Sequence, residues 1–190
     1  MVNIFSEIEE KILLDETLAF NENKIKEEIL QTIARKVDPA MDKEKPFVFE
    51  QIIYEFFEYL DINIIKTKKT RDFGIDGIIK LNLELLGEMD LGLQIKYAII
   101  DSNDIDIFLS SLKNSELHFG VIVCKGSRKL EKYELNTKIK AILLSKGINI
   151  KERLIKEKIS INPIFVLKMD DVIGIIASQI RAIARGIYKK

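Results

Sequence analysis

The chain has one cysteine and one histidine in 190 residues. Cys124 alone forms no intrachain disulfide and no cysteine zinc cluster, and His118 alone argues against a histidine-based metal site. Any metal would have to be held by oxygens. No apolar run approaches the roughly 20 residues of a membrane-spanning helix. The start, MVNIFSEIEE, carries no signal-peptide pattern. Low-complexity tracts are lacking, and the net charge is zero, which weighs against strong nonspecific binding to DNA. What remains is 47% hydrophobic and 32% charged. That suits a soluble globular chain with a sizeable core, as one domain with an appendage or two small ones. A cytoplasmic protein with no membrane partner is expected.

The zero total hides an asymmetry. Residues 1–60 hold 7 Lys/Arg against 14 Asp/Glu, net −7, and residues 61–190 hold 23 against 16, net +7. The basic part is the one suited to nucleic acid, and the acidic part would face elsewhere.

That basic part contains the most informative stretch, residues 70–97, TRDFGIDGIIKLNLELLGEMDLGLQIKY. Gly74 and Gly77 bracket Ile75-Asp76 and give the backbone freedom around one carboxylate. Ile79, Leu81, Leu83 and Leu85 alternate with Ile78, Lys80, Asn82 and Glu84, which is strand period. Gly87-Glu88-Met89-Asp90 reads as the turn. Leu91, Leu93, Ile95 and Tyr97 alternate again, so Gln94 and Lys96 share a face of the returning strand. If the strands pair, Asp76 sits beside that face. A carboxylate, an amide oxygen and an ammonium then converge. Asp76, the Gln94 side chain and the Ile95 backbone carbonyl are oxygen donors suited to Mg²⁺, and Lys96 can steady charge at an attacked phosphate. Taken alone, the same residues also describe an ordinary solvated hairpin, since short motifs recur by accident.

The rest supplies context. Residues 3–36 read as an α-helical hairpin, with stripes of Ile4, Ile8, Ile12 and Leu13, then Ile25, Ile29, Ile33 and Ala34. Asn21 or Asn23 is the candidate cap of its second helix. No chemistry is evident there; its carboxylates suit a solvated face, and its functional use would be a dimer arm or a partner-protein surface. A polar linker ends at Lys45-Pro46. A helix follows over 47–60, with Phe49, Ile52, Ile53, Phe56, Phe57 and Leu60 inward, Glu50 near its start and Glu55 and Glu58 exposed. A glutamate near a helix start commonly answers the helix dipole. Ile62, Ile64 and Ile65 suggest a short strand. Lys66, Lys68, Lys69 and Arg71 then form a basic loop, either plainly solvated or a phosphate-binding edge.

Further on, Asn103 or Asp104 is the candidate cap of a helix through Leu112, and 118–124 is a buried parallel strand. A helix is expected over 128–145, a strand over 164–167 after Pro163, and a last helix to Ile187. Arg181 and Arg185 share one face of that helix and suit either solvent or DNA. Asp170 and Asp171 suit its start.

The order is helix with glutamate, strand, basic loop, Gly-Ile-Asp-Gly, hairpin and Gln-x-Lys. In this order the chain resembles the Mrr-like branch of the PD-(D/E)xK restriction-endonuclease-like superfamily, over about residues 47–176. Phe49-Glu50, Gly74-Ile75-Asp76-Gly77 and Leu93-Gln94-Ile95-Lys96-Tyr97 carry the resemblance. It implies an α/β core with a mixed central sheet flanked by helices over 46–190, and an N-terminal helical extension over 1–45. It also implies a catalytic set of Glu50, Asp76, Gln94 and Lys96, with Asp76 as main metal ligand and Glu50 reaching Mg²⁺ or Mn²⁺ through water. Gln94 stands where much of the wider superfamily has an acid. The implied activity is a metal-dependent DNA endonuclease of restriction or defence type, acting as a homodimer. The alternative is a catalytically weak or inactive module of the same fold that binds nucleic acid or assembles with protein. A helical-hairpin partner protein is a third reading.

Overall fold

Asn3 opens the first helix by accepting the backbone N–H of Phe5 on its side chain. The computed structural model describes residues 3–67, 74–83, 87–117, 119–128 and 164–188. These divide into two compact units, Met1–Tyr59 with Met169–Lys190, and Leu60–Lys168.

The first unit is helical. It holds α1 (Ile4–Leu13), α2 (Glu16–Ala19), α3 (Glu22–Val37), α4 (Lys45–Tyr59) and the last helix, α6 (Met169–Tyr188). Apolar residues at helical spacing bury Ile4, Ile8 and Ile12 of α1 with Ile25, Ile29 and Ile33 of α3. Asn21 caps α3, one of the two candidates. A short α2 interrupts the expected hairpin, because the Asp15 side chain accepts the Leu18 N–H and starts a separate turn. Phe5 packs edge-on against Phe56. The Tyr59 hydroxyl donates to Glu9, and burial, then that hydrogen bond and charge, raise its pKa.

Glu55, expected at the surface, is 6% exposed. Its Oε2 accepts the Ile4 N–H at 2.9 Å, and its backbone oxygen accepts Asn3 Nδ2 at 2.7 Å. It therefore satisfies the start of α1 from another helix, a contact that α4's own periodicity does not encode. Arg181 pairs with Glu22 of α3, while Arg185 is exposed. Asp170 and Asp171 occupy the first turn of α6.

The second unit is a five-stranded sheet in order β1-β2-β3-β4-β5 with one described helix, α5. The strands are β1 (Asn63–Lys66), β2 (Gly77–Leu83), β3 (Gly87–Ile100), β4 (Phe119–Ser127) and β5 (Ile164–Lys168), and α5 is Ser102–Asn114. β1, β2 and β3 pair antiparallel, and β3, β4 and β5 pair parallel. The sheet is thus mixed, as expected. A core of Ile105, Phe108 and Leu112 from α5 packs with Ile122, Cys124, Ile164 and Val166 from the sheet.

Gly87–Asp90, read from the sequence as a turn, are strand residues, with Leu83 opposite Gly87 and Lys80 opposite Asp90. The polar residues belong to the alternation: Lys80 and Asp90 form a cross-strand ion pair at 2.8 Å. Asp101, and not Asn103 or Asp104, caps α5, accepting the N–H groups of both. His118, the expected helix over most of 128–145 and Pro163 lie outside the described residues. Among the described residues no helix is long and apolar enough to cross a membrane.

Candidate functional site

Asp76 is held by its own backbone before its side chain does anything. Its N–H donates to Leu93 O of β3 at 2.8 Å, and its carbonyl accepts the Thr67 N–H at 3.2 Å. Leu93 is also the partner of Gly77, where the β2–β3 register ends, so Asp76 sits just before β2 and is held against Leu93 of β3. The Thr67 hydroxyl donates to Ile75 O and ties the preceding residue as well. Asp76 Oδ2 then accepts the Ile95 N–H at 2.7 Å.

Gln94 is 6% exposed. Its Nε2 donates to Gly74 O at 2.7 Å. That bond fixes which way the amide lies and leaves Oε1 buried with no hydrogen-bond donor among the described residues. Gly74 makes the arrangement possible: its φ is +84°, and an added Cβ would come within 3.1 Å of Gln94 Nε2.

Lys96 follows two residues on, on the face that α5 covers. Gly92 identifies that face, because a Cβ there would meet Leu112 and Leu117. The Lys96 ammonium donates to Asp104 Oδ1 at 2.5 Å. Burial pushes Asp104 up. The Lys96 hydrogen bond, the Asp101 N–H and the Lys96 charge outweigh it and hold the carboxyl below its ordinary value.

Asp76 is thus joined to Ile95, and Gln94 to Gly74, where the start of β2 meets β3, and Lys96 follows Gln94 on the same strand with its ammonium on Asp104. Glu50 lies on α4 of the first unit, half-buried beside the buried Phe49. Lys66 is exposed at the end of β1, and Lys68, Lys69 and Arg71 lie outside the described residues. Sequence reasoning missed Asp104 as the partner of Lys96. The available signal was the Asp-x-x-Asp spacing of 101 and 104, a capping-box pattern that fixes the Asp104 carboxylate at the start of the helix that follows the lysine's strand.

Among the described residues no group of three or more His, Cys, Asp or Glu is placed to hold a metal. The donors at hand are one carboxylate and neutral oxygens. A buried amide oxygen with no donor among the described residues fits a hard divalent cation, which takes oxygen ligands and retains several waters.

A family model, Mrr_cat, described as restriction endonuclease, matches residues 41–154 of this chain. Among curated proteins no significant match was found. Among solved structures, the DNA modification-dependent restriction endonuclease AspBHI is similar at 18% identity and a TM-score of 0.49, covering 92% of this chain and 42% of that one. The chain therefore spans less than half the length of that protein.

Proposed function

The chain belongs to the Mrr_cat restriction endonuclease family, and from that premise we propose that it is a metal-dependent endonuclease hydrolysing phosphodiester bonds in DNA. The observation that carries the reading is the pairing of Asp76 Oδ2 with the Ile95 N–H, next to a Gln94 amide whose oxygen is buried with no donor among the described residues. Asp76, the Gln94 side-chain oxygen and the Ile95 carbonyl would hold Mg²⁺ or Mn²⁺. Such a cation supplies Lewis-acid polarisation of the phosphodiester and acidifies water. Asp76 is positioned for this by backbone bonds on both sides, so little reorganisation is needed. Gln94 is oriented by Gly74. Lys96 offers hydrogen bonds and positive charge to the phosphate oxygens as they become more negative. Glu50 keeps the supporting role that the family resemblance gives it, and Lys66, Lys68, Lys69 and Arg71 form the basic edge for the DNA backbone.

Residues 46–190 act as the nuclease domain and 1–45 as an extension that carries partner or dimer contacts. Two copies cut the two strands. The alternative is a module that binds nucleic acid with weak or no cleavage. The single carboxylate among the clustered donors favours it, because a neutral amide binds a cation less tightly than a second acid would.

Plasmid cleavage by the purified protein with Mg²⁺, Mn²⁺ or EDTA, beside Asp76→Asn, is the test. Asparagine keeps an acceptor for the Ile95 N–H, so the fold is retained while the charge is removed. Metal-dependent cutting that disappears in the variant is expected. Binding without cutting on unmodified, methylated, single-stranded and branched DNA would favour the alternative.

A further inference from the structure

The Lys96 ammonium is anchored by a carboxylate that is itself anchored. Asp104 Oδ1 accepts from Lys96 Nζ at 2.5 Å, while Oδ2 accepts the Asp101 N–H at 3.0 Å. The Asp104 N–H returns to Asp101 Oδ1 at 3.3 Å. The next residue, Ile105, is fully buried, and Phe108 and Leu112 seat the helix on the sheet. Neither oxygen of Asp104 can follow a wandering lysine.

Lysine has a long flexible stem, and ordering it costs rotamer entropy. The two side chains are 26% and 27% exposed, at the edge of the core. An ammonium has three donors. Asp104 engages one and leaves the others for a phosphate oxygen or the attacking water.

We propose that Asp104 is the positioning residue for Lys96: it fixes the ammonium on the face of β3 that Lys96 shares with Gln94 and does not itself touch the substrate. The chemical consequence rests on the nuclease reading above; the anchoring does not. A plain helix-capping role makes a different prediction. Asparagine at 104 also accepts the Asp101 N–H, so a cap alone would survive the substitution.

The test is Asp104→Asn in the full chain, with three readouts. The melting temperature stays near that of the parent. At saturating DNA and metal, kcat falls about tenfold to a hundredfold, the range seen when an outer partner of a functional group is lost. KM stays within about twofold, because the ground-state contacts are unchanged. Separately, the ¹⁵N ammonium resonance of Lys96, assigned with Lys96→Met, is visible in the parent through its persistent hydrogen bond and lost in Asp104→Asn. Parental kcat in the variant, or a raised KM at constant kcat, overturns the proposal. So does a Lys96 resonance unchanged by the substitution. If the parent protein cuts no DNA, the nuclease reading fails, and the resonance alone decides the anchoring.

Discussion

Replacing Gly120 with alanine should loosen α5 and lower stability, although the substitution adds a single methyl group. Gly92 and Gly120 are partners on parallel β3 and β4, and together they make a flat floor under α5. A Cβ on Gly120 would lie 2.6 and 2.7 Å from Phe108 Cε1 and Cζ, and 2.8 Å from Leu112 Cδ1. Ordinary carbon contacts lie near about 3.5–4.0 Å. Phe108 is 0% exposed and packed in the core with Ile105, Leu112 and Ile122, so the helix must shift or the ring must leave its rotamer. Overpacking of this kind costs about 1–3 kcal/mol, and removing glycine's freedom from the unfolded chain offsets about 0.4–1 kcal/mol. A net loss of about 1–2 kcal/mol corresponds to a melting temperature about 2–8 °C lower for a chain of this size. Thermal unfolding followed by circular dichroism measures it.

The same substitution at Gly174 has the opposite sign. Gly174 lies inside α6 with nothing within 4 Å of a built Cβ, so alanine there should stabilise by about 0.5–1 kcal/mol. Gly120→Ala melting at or above the parent temperature would refute the close-packing argument. Phe108→Leu should recover part of the loss, since the two sites share one contact.

Two further outcomes follow from single contacts. Gln94→Glu places a carboxylate against Gly74 O, where Nε2 now donates at 2.7 Å. In EDTA it should melt below the parent, by a loss of about 1–3 kcal/mol. Mg²⁺ should raise its melting temperature more than the parent's, and a metal effect absent from both would count against cation binding at Gln94. Glu55→Ala strands the Ile4 N–H, which Oε2 accepts at 2.9 Å. Urea unfolding should show a loss of about 1–3 kcal/mol, and a loss below about 0.5 kcal/mol would mean that α1 finds another partner for that group.

Much of the site was legible because its residues are close in sequence. Gly74, Asp76, Gln94 and Lys96 lie on one hairpin, and alternation alone puts Gln94 and Lys96 on one face. Residues 87–90 look like a turn in the sequence because Glu88 and Asp90 are polar and follow a glycine, although a polar residue paired with Lys80 across two strands is a strand residue. Glu55 was misread for a related reason. On its own helix it has every mark of a surface position, and only the start of α1, 51 residues away, gives it a buried donor to satisfy.

The sequence by itself determined most element types, the mixed α/β class and the family, and it nominated the residues of the candidate site, because period, turn chemistry and motif order are local properties of the chain. Tertiary structure alone decided which carboxylate meets Lys96, why no described residue donates to the Gln94 side-chain oxygen, and which glycines leave no room for a methyl group. Each of these depends on strand register and on the distance at which α5 packs against the sheet. Those quantities are set by contacts between segments far apart in sequence, and no spacing within one segment encodes them.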